Sequence, residues 1–176
     1  MKKGFFLLAL LCLAGCDSFT AAPYGISADN NIALKSAGAG AHVAVGNFVM
    51  AAKYDPGCRM AGPIQLPGGL TAEAYIQKAF SDELKIAGLY DESAKNRLTG
   101  TITQFEFGST SGGWDMALTL TSTNGKNASA KEHYEFHSSF TAASACHNVA
   151  DAFQPAVQGL IGQIIQSPDF KALLTK

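Results

Sequence analysis

The sequence predicts an α+β fold: a two-layer sandwich in which one antiparallel sheet carries two main helices on a single face. The predicted order is β-α-β-β-β-α with a short helix at the C-terminus. Three observations predict it. Two stretches place apolar residues at helical spacing, and between them lie three stretches with strand character. Asn124-Gly125 stands between the last two of these as a strong two-residue hairpin turn. The chain of 176 residues, 47% hydrophobic and 15% charged, is long enough for one well-buried core without help from a metal.

Folded sequence is expected from residue 41 onward, as one domain to residue 176. The β-branched content of 42–49 reads as a first strand, and the prolines and glycines of 54–69 as an ordered loop. Thr71 is a good N-cap for a helix in which Ala72, Ile76, Ala79, Phe80, Leu84 and Ala87 share a side, with Gly88 suited to its end. The strand 97–107 changes apolar phase between Ile102 and Phe105, so a β-bulge is expected near Thr103 or Gln104. Residues 114–121 alternate, with Trp114, Met116, Leu118 and Leu120 on one face. The return strand 133–140 puts Tyr134, Phe136 and Phe140 on one side and His133, Glu135, His137 and Ser139 on the other. Val149, Phe153, Val157, Leu160 and Ile164 mark a second helix over 144–166, which Pro155 should kink or divide. Ser167-Pro168-Asp169 reads as N-cap, N1 proline and first-turn acid of a final helix through Leu174.

Net charge is −1, with 13 basic and 14 acidic residues. That balance leaves no electrostatic footprint for nucleic acid and no polybasic patch for anionic lipid. Four cysteines divide by position. Cys12 and Cys16 fall within the first sixteen residues, leaving Cys58 and Cys146 as an even pair. The simplest reading of that pair is one disulfide in an exported, oxidising compartment, worth roughly 4 kcal/mol for a long loop. A metal pair or a reactive thiol is the competing reading, and no CxxC or Cys/His spacing points to structural zinc.

Residues 1–15 have the anatomy of a secretory signal peptide: Lys2-Lys3, an apolar run over 4–11, and small residues before Cys16. The run is too short to span a bilayer, which takes about 20 apolar residues. Leu13-Ala14-Gly15-Cys16 resembles the lipobox of bacterial lipoproteins. The resemblance implies cleavage after Gly15, a diacylglyceryl group on the Cys16 thiol, and membrane attachment through that lipid alone. It places the protein in the cell envelope facing the periplasm, with the inner or the outer membrane left open. Residues 16–40 read as the lipidated N-terminus and a flexible tether with a reach of roughly 27 Å. Ile32 and Leu34 hint at a short strand within it.

No catalytic constellation and no cofactor site is legible. Gly108-Ser109-Thr110-Ser111-Gly112 nearly matches a nucleophile elbow, but its centre is Thr110 and it joins two strands. His133-x-Glu135-x-His137 spaces its imidazoles about 13 Å apart on a strand, too far to share one ion. Thr101, Thr119, His133, Glu135 and His137 instead form part of a polar, hydroxyl-rich sheet face. It is either simply the wet side of an antiparallel sheet or a docking surface for a polar partner.

Taken with the lipobox, this element order resembles small envelope lipoproteins of the YajG, LptE and ABC-transport auxiliary types. The residues that carry it are the hairpin 118–125, the strand 134–140, and the helix with its Ser167-Pro168-Asp169-Phe170 tail. The resemblance implies a non-catalytic accessory that binds or helps to assemble an envelope protein complex. A binder of a small molecule, lipid or glycan is the alternative. A hydrolase using a metal held by His133, Glu135 or His137 is a distant third.

Overall fold

A four-stranded mixed sheet carries the helices on one face in the computed structural model of the chain, which describes residues 18–175. The leader, Cys16 and Asp17 lie outside the described residues. In chain order the elements are β1 (Phe19–Thr20), α1 (Ala28–Ala37), β2 (Ala44–Met50), β3 (Gly57–Cys58), β4 (Gly62–Gln65) and α2 (Ala72–Ala87). They continue with β5 (Arg97–Gly108), β6 (Gly113–Ser122), β7 (Asn127–Glu135), α3 (Ala142–Gln166) and α4 (Phe170–Leu174). The α+β sandwich follows the predicted order from β2 onward, except that the predicted loop 54–69 contains the short strands β3 and β4. The main sheet runs β2-β5-β6-β7, and a small one runs β1-β4-β3.

The main sheet is mixed, where an antiparallel one was expected. β2 pairs parallel to β5, while β5-β6 and β6-β7 are antiparallel. The reason is α2. A helix between two strands carries the chain back to its starting end, so the next strand enters in the same direction. Thr71 caps α2 by accepting from the Ala74 N–H, and Gly88 closes it at φ 78°. The expected bulge is present: β5 shifts register between Ile102 and Gln104, leaving Thr103 unpaired and bringing Phe105 to the core side.

The hairpin between β6 and β7 is one residue longer than predicted. The Ser122 N–H donates to the Lys126 carbonyl, so Thr123-Asn124-Gly125 close it, with Gly125 at φ 83°. That positive φ is the position for which glycine is needed. β7 ends at Glu135, earlier than expected, so Phe140 belongs to no strand and is fully exposed. α3 runs unbroken for 25 residues through Pro155. Ser167 closes α3, its hydroxyl donating to the Ile164 carbonyl, and so does not open the final helix.

The largest correction concerns residues 16–40. Among the described ones, 18–37 are folded onto the domain. Phe19 is buried and pairs with Ile64, and α1 lies against α2 and α3. α1 is held by one fully buried leucine, Leu34, and by polar contacts. Asn30 Nδ2 donates to the Gln158 carbonyl at 3.0 Å, and Asn31 and Leu34 are buried beside it. Gly162 of α3 allows this approach, because a Cβ there would stand 2.8 Å from Asn30 Oδ1. Glu83, fully buried on α2, accepts from the Tyr24 hydroxyl and the Ser27 N–H, both at 2.8 Å. Burial and then the bond to Glu83 push the Tyr24 phenol far above its ordinary pKa. The second carboxylate oxygen of Glu83, Oε2, has no hydrogen-bond partner among the described residues.

The core fills the space between helices and sheet. Trp114 is fully buried, donates its indole N–H to the Val149 carbonyl at 2.9 Å, and touches Phe105 and Phe153 at centroid distances of 5.4 and 5.1 Å. The Cys58–Cys146 disulfide spans 88 residues and ties β3 to the first turns of α3.

Candidate functional site

The side of the sheet away from the helices is a grid set by register. Thr99, Thr121 and Asn127 form one row, and Thr101, Thr119 and Ser129 the next. Gln104, Ala117 and Lys131 follow, then Glu106, Asp115 and His133. Side chains alternate in direction along β6, so Asp115, Ala117, Thr119 and Thr121 share this face, although Ala117 is itself buried. Of the five residues singled out in sequence, Thr101, Thr119, His133 and Glu135 do share this face, and Thr101 stands directly opposite Thr119. His137 does not. It follows the end of β7, and its carbonyl accepts from Asn148 Nδ2 at 2.6 Å.

Two contacts give the face its chemistry. The hydroxyls of Thr119 and Ser129 are hydrogen-bonded at 2.8 Å, and His133 Nδ1 lies 2.7 Å from Asp115 Oδ1. His133 Nε2 is also 3.8 Å from Glu135 Oε1. The hydrogen bond that the His133 ring donates to Asp115, aided by the carboxylate's charge, holds the His133 pKa above its ordinary value of 6.5. The His133 side chain remains 56% exposed, so this pair is screened by water. Among the described residues no three His, Cys, Asp or Glu side chains gather as a metal would require. The near-elbow 108–112 is the turn between β5 and β6, held by the Gly112 N–H donating to the Gly108 carbonyl at 2.7 Å.

Two further features escaped sequence reading. At the pole holding the Asn124 turn, a groove of about 1000 Å³ is lined by His42, Asp91, Lys95, Asn96, Asn124 and Lys171. No local motif announces it, because four separate segments meet there. At the opposite pole, Arg59 joins three loops. Its guanidinium donates to the carbonyls of Ser109 and Ser139 at 2.6 and 2.8 Å and to the Ser138 hydroxyl at 3.1 Å. Met60 beside it and Phe140 beyond Ser139 are both 106% exposed.

No family model and no curated protein matches the sequence. Among solved structures, the chain is similar to protein XCC0632 from Xanthomonas campestris, which is assigned to DUF330. The TM-score is 0.46 at 11% identity, over 71% of this chain and 84% of that one.

Proposed function

We propose that this protein is a lipid-anchored, periplasm-facing accessory lipoprotein that binds or helps to assemble an envelope protein complex, without catalysis of its own. The observation that carries the binding role is the uncovered grid of hydroxyl side chains on the main sheet. Thr99, Thr101, Thr119 and Thr121 are β-branched and stiff at χ1, and Thr119 is already held by Ser129. Such a surface loses little side-chain freedom when a partner covers it, which favours association. The anchor is inferred from Leu13-Ala14-Gly15-Cys16, and the Cys58–Cys146 disulfide accords with an oxidising compartment. Affinity purification from detergent-solubilised membranes should recover a stoichiometric protein partner. Thr101→Lys with Thr119→Lys should abolish that recovery and leave the fold intact. A monodisperse monomer without a partner would sink the reading.

The groove, apolar over most of its lining with a few polar groups, favours a second reading, a binder of a small molecule, lipid or glycan. Lys95 and Lys171 there supply positive charge beside the carboxylate of Asp91, and Asn96 and Asn124 supply side-chain amides. Thermal-shift measurements with cell-wall fragments and phospholipids separate the two, since only this reading expects a ligand-dependent rise in melting temperature.

A further inference from the structure

We infer that the pole bearing Met60 and Phe140 rests on the phospholipid surface, its two apolar side chains inserted at the headgroup–acyl boundary. The inference rests on the proposed lipid at Cys16 and deepens it, by stating how the domain is oriented once anchored. Chain direction is the first argument. Cys16 precedes Ser18 by two residues, at most about 7 Å of chain. Phe19 is pinned by burial and by its pairing with Ile64, so no long tether separates a lipid on Cys16 from the domain. β1 is parallel to β4. Read backwards from Phe19 it therefore runs the same way as β4 read backwards, through Gly62 toward the Arg59-Met60-Ala61 tip. The ring of Phe19 also meets that of His147 at 5.0 Å, next to the Cys146 that is bonded to Cys58. The chain exit and the tip thus belong to one end of the molecule.

The second argument is what this end presents. Met60 and Phe140 are the two most exposed large apolar side chains among the described residues, and Arg59 links the segments that carry them. Arg59 and Met60 both adopt left-handed backbone, at φ 46° and 56°, a conformation side chains other than glycine rarely take. Three loop contacts of the guanidinium and the disulfide keep the tip in that shape. No ion pair of the Arg59 guanidinium with a carboxylate occurs among the described residues. Its charge is therefore offset only by carbonyl and hydroxyl dipoles, at the depth where phosphates of a bilayer would lie. Apolar side chains flanking an arginine, on a rigid tip beside an acylated terminus, suit a lipid–water boundary.

The test uses the full, lipidated chain in vesicles of phosphatidylethanolamine and phosphatidylglycerol that contain brominated lipids. Phe140→Trp and Met60→Trp each place an indole at the tip. Ile86→Trp places one at the end of α2, 58% exposed at the opposite pole. All three sites face solvent, so the fold tolerates the change, and the signal of Trp114 is subtracted with the unmodified chain. Quenching several-fold stronger at 140 and 60 than at 86, with a blue shift, is the expected result. Equal or weaker quenching at the tip overturns the inference, as does a protein partner found covering Met60 and Phe140. Intact-mass measurement on the same sample keeps the two readings apart. Acyl groups on Cys16 with an unquenched tip refute only the orientation. A chain without acyl groups refutes the anchor, and tip quenching in that chain would still support the contact.

Discussion

The two faces of β6 share one backbone and the same hydrogen-bond ladders, yet only one of them holds the protein together. Trp114, Met116, Leu118 and Leu120 point toward the helices and are buried. Asp115, Thr119 and Thr121 point away and meet water. The contrast teaches that strand pairing alone does not make this sheet a core. What covers a face decides its energetic weight, and the uncovered face is free to serve recognition.

Substitutions can break or sharpen that contrast. The largest effect is expected at Trp114→Ala, which removes a fully buried indole and its bond to Val149. It should cost about 3–5 kcal/mol by chemical denaturation. An effect near zero would mean that the helix layer is not what stabilises the sheet. Next comes Glu83→Ala in the covering layer. It strands the Tyr24 hydroxyl and the Ser27 N–H, costs about 1–3 kcal/mol, and should speed hydrogen exchange at Asn30 and Asn31. Unchanged exchange there would show that α1 is held by other contacts.

A smaller effect is expected where β7 turns a carboxylate toward the helices. Burial raises the Glu132 pKa above its ordinary 4.5, against the lowering effect of a hydrogen bond from Gln163. Because the folded state prefers the neutral acid, Glu132 favours the fold at low pH and loses that contribution as pH rises through the raised pKa. Glu132→Gln should therefore raise the melting temperature at neutral pH, and the gain should vanish toward pH 4.5. On the open face the sign of the histidine contribution can be read by NMR. The His133–Asp115 pair stabilises the fold fully below pH 6.5 and fades as pH rises through the raised imidazole pKa. Asp115→Asn should bring that titration back toward 6.5. The smallest change is expected at Thr119→Ala, within about 0.5 kcal/mol. Loss of partner recovery in that variant, with stability unchanged, would separate recognition from folding most cleanly.

Legibility in the sequence followed hydrophobic period. α2 and α3 announce themselves by apolar spacing, and the phase slip at Thr103 announces its bulge. α1 was missed because its buried side is Asn30, Asn31 and Leu34, which carries almost no apolar signal. Phe140 was misplaced because an aromatic residue after an alternating strand looks like its continuation, whereas β7 stops at Glu135. The open face was read largely correctly because alternation at period two needs no tertiary information. His137 lies past the end of the strand but still borders the depression that His133 and Glu135 line.

By itself, then, the sequence determined the α+β class, the two long helices, the wet and dry sides of β6, and the cysteines available for pairing. Each of these depends on local spacing or composition, which a chain expresses before it folds. Only the tertiary structure decided that β2 runs parallel to β5, that residues 18–37 are docked, and that Arg59, Met60 and Phe140 meet at one pole. Those outcomes rest on contacts between residues dozens of positions apart. A buried carboxylate at Glu83 or a missing Cβ at Gly162 acquires meaning only when its distant partner arrives.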